Sequence, residues 1–226
     1  VDYKSSSDVT VVFYEPLYIT KCSYRDLQDG AVGNPLYPRV HGVGCIGVGK
    51  YNSRDHKNLY HLWKGLLQRV YTKRNPTYKD VTVCKEWLNF QNFADWCTQE
   101  QFFNTEDGNG RKYHLDKDIL VKGNKTYSPD TCCFIPQEIN SISISVYKSR
   151  GKYPVGVVKN GKKFLVRIRR SGALESLGVF SNLDQAFSIY KGAKENHIRS
   201  LAEKWRGEID EKVYEALLIY KVSIDD

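Results

Sequence analysis

The chain has 226 residues, 41% hydrophobic and 27% charged, with a formal net charge of +8; this balance excludes an integral membrane protein and a disordered chain. No apolar run approaches the roughly 18 residues of a transmembrane helix, and the opening VDYKSSSDVT lacks the basic-then-apolar layout of a signal peptide. No membrane partner and a cytoplasmic location are therefore expected. Cys22, Cys45, Cys84, Cys97, Cys132 and Cys133 have neither a disulfide-framework spacing nor the C-x-x-C of a zinc ribbon, so most are expected to be buried thiols.

The first forty residues mix a β-rich run, Val9 to Tyr14, with Pro16, Pro35 and Pro38, and read as short strands and loops. Next comes Gly42-Val43-Gly44-Cys45-Ile46-Gly47-Val48-Gly49-Lys50-Tyr51, which contains both G-x-G-x-x-G and G-x-x-x-x-G-K. A dinucleotide fingerprint must open a helix, and a phosphate loop needs Ser or Thr after its Lys; Tyr51 and the polar Asn52 to Asp55 follow instead. The segment is therefore a Gly-rich strand or turn, and no organic cofactor is expected. From Asn58 to Tyr71, Leu59, Leu62, Trp63, Leu66, Leu67 and Val70 recur at steps of three and four and predict a helix with one buried stripe. Pro76 ends it, Val81 to Cys84 reads as a strand, and a second helix carries Leu88, Phe93 and Trp96; Trp63, Trp87 and Trp96 read as core.

Around Ser143 to Lys152 the sequence turns to Ser and Lys, which marks a domain boundary. Tyr153 to Val158 and Lys163 to Arg169 read as strands joined through Asn160-Gly161, a pair that tolerates positive φ. A third strand spans Ser176 to Phe180. Ser181 is placed to cap the following helix, with Asp184 near its positive end and Leu183, Ala186, Phe187, Tyr190, Ala193, His197 and Leu201 on its buried face. Residues 145–206 hold 14 Lys/Arg against 4 Asp/Glu, leaving the remainder at −2. A basic excess confined to one module is the electrostatic footprint of nucleic-acid binding, against the plainer reading of a solvated basic face. Alternation on the second strand puts Lys163, Leu165, Arg167 and Arg169 on one side and Phe164, Val166 and Ile168 on the other. The apolar side packs the helix and the basic side faces a DNA groove, where Arg reaches guanine O6 and N7 and Lys holds phosphates.

The stretch YPVGVVKNGKKFLVRIRR…LGVFSNLDQAFSIYKGAKENHI, above all Leu177-Gly178-Val179-Phe180 leading into the helix, resembles the AP2-type DNA-binding domain of plant transcription factors and of many phage and mobile-element proteins. The resemblance implies sequence-selective binding of double-stranded DNA by the sheet. The residues assigned to DNA are Lys148, Arg150, Lys152, Lys159, Lys162, Lys163, Arg167, Arg169 and Arg170.

Before the boundary lies a polar block, His114-Leu115-Asp116-Lys117-Asp118 to Asn140. Carboxylate, amide and imidazole groups brought together suit one Mg2+ or Mn2+ beside a phosphate, whereas a solvated acidic face is the plainer reading; Asp116 and Asp118 would share one side of a strand. The stretch Tyr60 to Trp96 followed by LDKDILVKGNKTYSPDTCCFIPQEIN resembles a phage family related to the HNH, or His-Me finger, homing endonucleases, often found with an AP2-type domain behind it. In nuclease relatives an Asp-His pair ends the first strand, the His deprotonates the attacking water, and Asp with a later Asn or His holds the metal. The resemblance puts Asp116 in the place of that Asp, Lys117 in that of the His, and Thr131 in that of the Asn. A lysine is protonated at neutral pH and makes a phosphate clamp rather than a base. Asn124 and Asn140 are then the amide ligands beside Asp116 and Asp118, and His114 is either a relocated base or a surface histidine.

The fold class is thus α+β: a β/loop segment over 1–48, an HNH-like ββα region with flanking helices over 49–143, and an AP2-like three-stranded antiparallel sheet on one helix, with a C-terminal helix, over 144–226. Two functions follow. One is a phage homing-type endonuclease that hydrolyses phosphodiester bonds with a divalent metal, using His114, Asp116, Lys117 and Asp118. The other is an inactive descendant that binds duplex DNA as a regulator or blocks a partner. Monomer and homodimer both stay open. No nucleophile elbow, zinc-ligand spacing or cofactor loop supports a small-molecule or RNA-modifying enzyme.

Overall fold

The computed structural model describes residues 1–72, 76–143, 152–170 and 172–224. In chain order the elements are β1 (Asp2–Ser5), β2 (Asp8–Tyr14), β3 (Leu17–Cys22), α1 (Tyr24–Gln28), α2 (Lys57–Tyr71), β4 (Thr82–Val83), α3 (Phe90–Gln99) and β5 (His114–Asp116). There follow β6 (Thr126–Tyr127), β7 (Cys133–Ile135), α4 (Gln137–Asn140), β8 (Val157–Asn160), β9 (Lys163–Arg170), β10 (Ala173–Phe180), α5 (Leu183–Lys204) and α6 (Glu211–Ile219). The class is mixed α+β with short strands, and none of the described helices is long and apolar enough to cross a membrane. The chain divides into two compact units, Val1–Glu100 with Lys125–Asp130, and Gln101–Asn124 with Thr131–Asp226. The boundary expected at 143/144 adjoins residues outside the described set, and Lys148 and Arg150 lie outside it.

In the first unit β1, β2 and β3 form an antiparallel meander that buries Val9 and Val11. Helix α2 buries Leu59, Trp63, Leu66, Leu67 and Val70, with Leu62 half-buried. Asn89 caps α3 by accepting from the Gln91 amide, so Leu88 falls in a preceding 3₁₀ turn together with the buried Trp87. Trp63 Nε1 donates to the Trp87 carbonyl at 2.7 Å, which ties α2 to that turn. Trp96 is only half-buried and stacks obliquely on Trp87 at 4.6 Å. Strands β4 and β6 pair in parallel over two residues each.

The Gly-rich segment also belongs to this unit and opens no helix, since α2 begins only at Lys57. Its glycines serve close packing. A Cβ on Gly44 would overlap Leu67 Cδ1 and Trp63 Cζ2, and one on Gly47 would overlap the Asn89 amide. The buried Gln91 staples the segment by accepting from the Tyr51 N–H at 3.0 Å and donating to the Ile46 and Tyr51 carbonyls at 3.0 and 2.7 Å. Lys50 pairs with Asp95 at 3.0 Å and lies over the Tyr51 ring.

In the second unit β10, β9 and β8 make an antiparallel sheet in that order, and α5 packs across one face. Val157, Val166, Ile168, Ala186, Tyr190 and Val222 form its core, flanked by Phe164, Phe180, Leu183 and Phe187. Burial of a side chain the size of Val166 or Ile168 contributes about 1.5–3 kcal/mol. The first strand is shorter than its sequence suggests, beginning at Val157 rather than Tyr153. Pro154 offers no N–H to a ladder, and Gly156, at φ +77, lies directly under the Tyr190 ring. The turn is displaced by one residue as well. Asn160 pairs with Lys163, leaving Gly161-Lys162 as the central residues, with positive φ only at Gly161, as a II′ turn requires. The third strand starts earlier than expected, at Ala173, and carries a bulge between Ser176 and Gly178. Asn182, not Ser181, caps α5 by accepting from the Gln185 N–H at 3.0 Å. Of the thiols, Cys97, Cys132 and Cys133 are buried and Cys22, Cys45 and Cys84 half-buried, all unbridged.

Replacing Gly44 by Ala should lower the stability of the protein by about 1–3 kcal/mol, because Leu67 and Trp63 must both move. A urea melt followed by Trp fluorescence measures it, and an unchanged midpoint would mean the close approach is not limiting.

Candidate nucleic-acid interface

On β9 the buried side chains are Val166 and Ile168, with Phe164 half-buried beside them, while Lys163, Arg167 and Arg169 are exposed on the opposite face. Cross-strand register extends that outer face over its neighbours. Asn160 lies opposite Lys163, Val158 and Val179 flank Leu165, Ser176 faces Arg167, and Leu174 faces Arg169. Arg167 and Lys163 form no ion pair among the described residues, and Arg169 donates from Nη1 to the Gly172 carbonyl at 2.8 Å, which holds its guanidinium over the β9–β10 turn. Lys152 and Lys162 are exposed, and Lys159 lies 4.3 Å from the Phe164 ring centre, on the other side of the sheet.

Arg170 belongs to the helix-facing side. Its Nη2 donates to the Ala193 carbonyl at 3.3 Å and its Nη1 lies 3.5 Å from the Glu175 carboxylate. Alternation explains the placement, since Arg170 follows Phe164, Val166 and Ile168 in phase. Burial holds the nearby Lys194 below the usual lysine range. Burial, and then the charges of Lys194 and Arg170, hold His197 below the usual imidazole range.

The polar block closes on itself. Strands β5 and β7 pair antiparallel, with His114 opposite Ile135 and Asp116 opposite Cys133, and α4 follows directly. Because β5 ends at Asp116, Asp118 is not the second carboxylate of one strand face but sits in the ensuing bend. Asp116 Oδ1 accepts from the Asp118 and Ile119 amides at 2.9 and 2.8 Å, the bonding of an Asx turn. Burial, reinforced by the Asp118 charge, pushes the Asp116 carboxyl up to about 6, and burial together with Asp116 raises the Cys133 thiol. The side chain of Lys117 is only 13% exposed; its ammonium donates to Asp118 Oδ2 at 2.8 Å and to the Asn124 carbonyl at 3.0 Å. Asn124 returns a bond from Nδ2 to the Lys117 carbonyl at 2.6 Å. His114 is exposed, and Asn140 closes α4 without a hydrogen bond to Asp116, Asp118 or Asn124 among the described residues.

These donors do not fit a divalent cation as they are folded. Asp116 spends one oxygen on backbone amides, and the Lys117 ammonium already neutralises Asp118. Among the described residues no three His, Cys, Asp or Glu side chains are grouped to hold a metal. The sequence reading did not single out Val158, Val179 and Leu174 on the outer face, nor the buried Glu195 and half-buried Lys194 of α5. The register that brings Val158 opposite Leu165 depends on the β8–β9 turn position, which Asn160-Gly161 misplaces by one, and that of Val179 and Leu174 on the β9–β10 pairing and its bulge. No family model matches the chain, and no curated protein or solved structure is significantly similar to it.

The raised Asp116 carboxyl has a signed consequence. Between the ordinary carboxylate value and about 6 the folded state binds the extra proton, so the stability this group contributes is present at low pH and lost as pH rises through about 6. Asp116→Asn keeps the acceptor oxygen and removes the charge. Its stability relative to the parent should therefore increase between pH 4.5 and 8, by on the order of 2–3 kcal/mol, since each tenfold difference in proton affinity between folded and unfolded states is worth about 1.4 kcal/mol. Urea midpoints of the two proteins, followed across this pH range, test the expectation; a constant offset between them would show that Asp116 ionises normally.

Proposed function

We propose that this chain is a double-stranded DNA-binding protein that reads its target through the outer face of the β8–β9–β10 sheet. The observation that carries the proposal is the exposed series Lys163, Arg167 and Arg169 on one strand, its opposite face packed on α5. A twisted sheet backed by a helix presents such a strand rigidly, Arg can contact guanine in the major groove, and Lys neutralises phosphate. The concentration of positive charge in residues 145–206 supports the same reading, as does the AP2-type resemblance of this segment.

In this reading the β5–β7 pair and α4 are what is left of a His-Me finger-like, phage-type nuclease, now without cleavage. The support is the internal use of Lys117, Asp118 and Asn124, which cross-link their own loop. One observation favours the nuclease instead. A carboxyl raised to about 6, as at Asp116, is suited to proton transfer near neutral pH. Incubating the protein with supercoiled and linear duplex in Mg2+, Mn2+ and EDTA separates the two. A shifted, intact duplex in all three buffers supports the binder, and metal-dependent nicking abolished by Asp116→Ala would replace it with the nuclease.

Within the interface, Arg167→Ala should cost about 1–3 kcal/mol on a selected duplex and little on random DNA. Lys163→Ala should weaken all duplexes alike and reduce the salt slope by about 1. Titrations by fluorescence anisotropy at several salt concentrations measure both, and an equal loss at every sequence for Arg167→Ala would contradict base reading by that residue.

A further inference from the structure

The outer face of the sheet is not uniformly basic. Val158, Leu165 and Val179 lie side by side in one cross-strand row, with Lys163 and Asn160 on one side and Arg167 and Ser176 on the other. Val158 is 49% and Val179 47% exposed, and Leu174, 54% exposed, lies opposite Arg169. Singly exposed aliphatics are ordinary, but a row in register between cations makes a defined apolar strip. The aromatics of these three strands face the other way: Phe164 and Phe180 pack against the core formed with Tyr190. Among the described residues, then, the face offers no ring on which an unpaired base could stack, which disfavours single-stranded nucleic acid.

Resting on the DNA-binding reading above, we infer that the Val158–Leu165–Val179 row reads the 5-methyl group of thymine in the major groove, two base steps from a guanine held by Arg167. The major groove presents one apolar feature, the thymine methyl, and an aliphatic side chain is its complement. The spacing comes from the strand itself. Alternate residues of a strand are about 6.6–6.8 Å apart, and two base steps span about 6.8 Å, so Leu165, Arg167 and Arg169 address every second base pair along the groove. Lys163 and Lys162, at the hairpin end beyond the row, fall toward the phosphates. The row thus supplies a preference that the arginines alone cannot, since Arg contacts to guanine leave the neighbouring base unread.

The test uses the full chain. Duplexes retained from a random-core double-stranded pool give an enriched sequence, and affinity is then measured on labelled duplexes in which each thymine in turn is replaced by uracil, removing only the methyl group. One such replacement, two base pairs from the guanine whose loss mimics Arg167→Ala, should weaken binding about fourfold. That penalty should vanish in Val158→Ala and Val179→Ala, whose exposed positions let the sheet fold, as a thermal melt checks. Uracil tolerated within about twofold at every position, on a duplex that is bound selectively, overturns the methyl reading and leaves the DNA-binding proposal standing. Preference for the separated single strands overturns it too. Retention of no duplex at all would remove the DNA-binding reading itself, and with it this one.

Discussion

Packing of α5 against β9 is the constraint from which the second unit follows. A strand has a side-chain period of two, so once Val166 and Ile168 are sealed at 0% and 2% exposure against Ala186 and Tyr190, their neighbours must face outward. A slip of one residue would drive Lys163, Arg167 and Arg169 into that core, and burying unpaired cations costs several kcal/mol each. The basic face is thus specified by the apolar one. The same core is closed from the other end by Val222, whose amide donates to Glu195 at 3.0 Å. Glu195 is 8% exposed, and it tolerates burial because Lys191, Arg199 and Lys221 lie 3.6–4.0 Å from its carboxylate.

The polar block shows how the same residue types serve a loop or a metal according to who reaches them first. Asp116 spends an oxygen on two amides of the following bend, and Lys117 and Asn124 exchange side-chain bonds with each other's backbone carbonyls. That exchange pins residues 117–124 with one charge-assisted bond, the strong kind inside a partly dry site, and one neutral bond. To bind a cation beside a phosphate, the block would have to release Lys117 from Asp118 and leave the Asn124 carbonyl without its charged donor.

Much of the fold was legible where a strong period coincided with a single buried face. The stripe from Leu59 to Val70 and the alternation from Lys163 to Arg169 both survive folding because one side of each element is dry. Legibility failed where one residue of phase or a neighbour decided the outcome. Pro154 and the Tyr190 ring over Gly156 shortened β8, Asn182 displaced Ser181 as cap, and the II′ turn moved the hairpin by one position. Val81 to Cys84 reads as a strand and contains β4, but the two-residue β6 offers no pattern, and the parallel pairing of the two spans more than forty positions of sequence. In the polar block the residue types were right for a metal, but sequence carries no information on whether Lys117 turns outward or back onto Asp118. The burial of that lysine is a tertiary property.

The two faces of the sheet divide the positive charge into kinds with different physics. Arg170, Lys194 and His197 lie behind it, where burial holds Lys194 below its ordinary range, and burial, then the charges of Lys194 and Arg170, do the same for His197. Arg170 on this side is pinned to the Ala193 carbonyl and Glu175. In front, Lys163, Arg167 and Arg169 stand in solvent on a strand that cannot rotate. The charge on the outer face is thus carried by lysine and arginine side chains rather than by histidine. For the proposed duplex binding, salt, which screens phosphate contacts, is therefore the variable to follow.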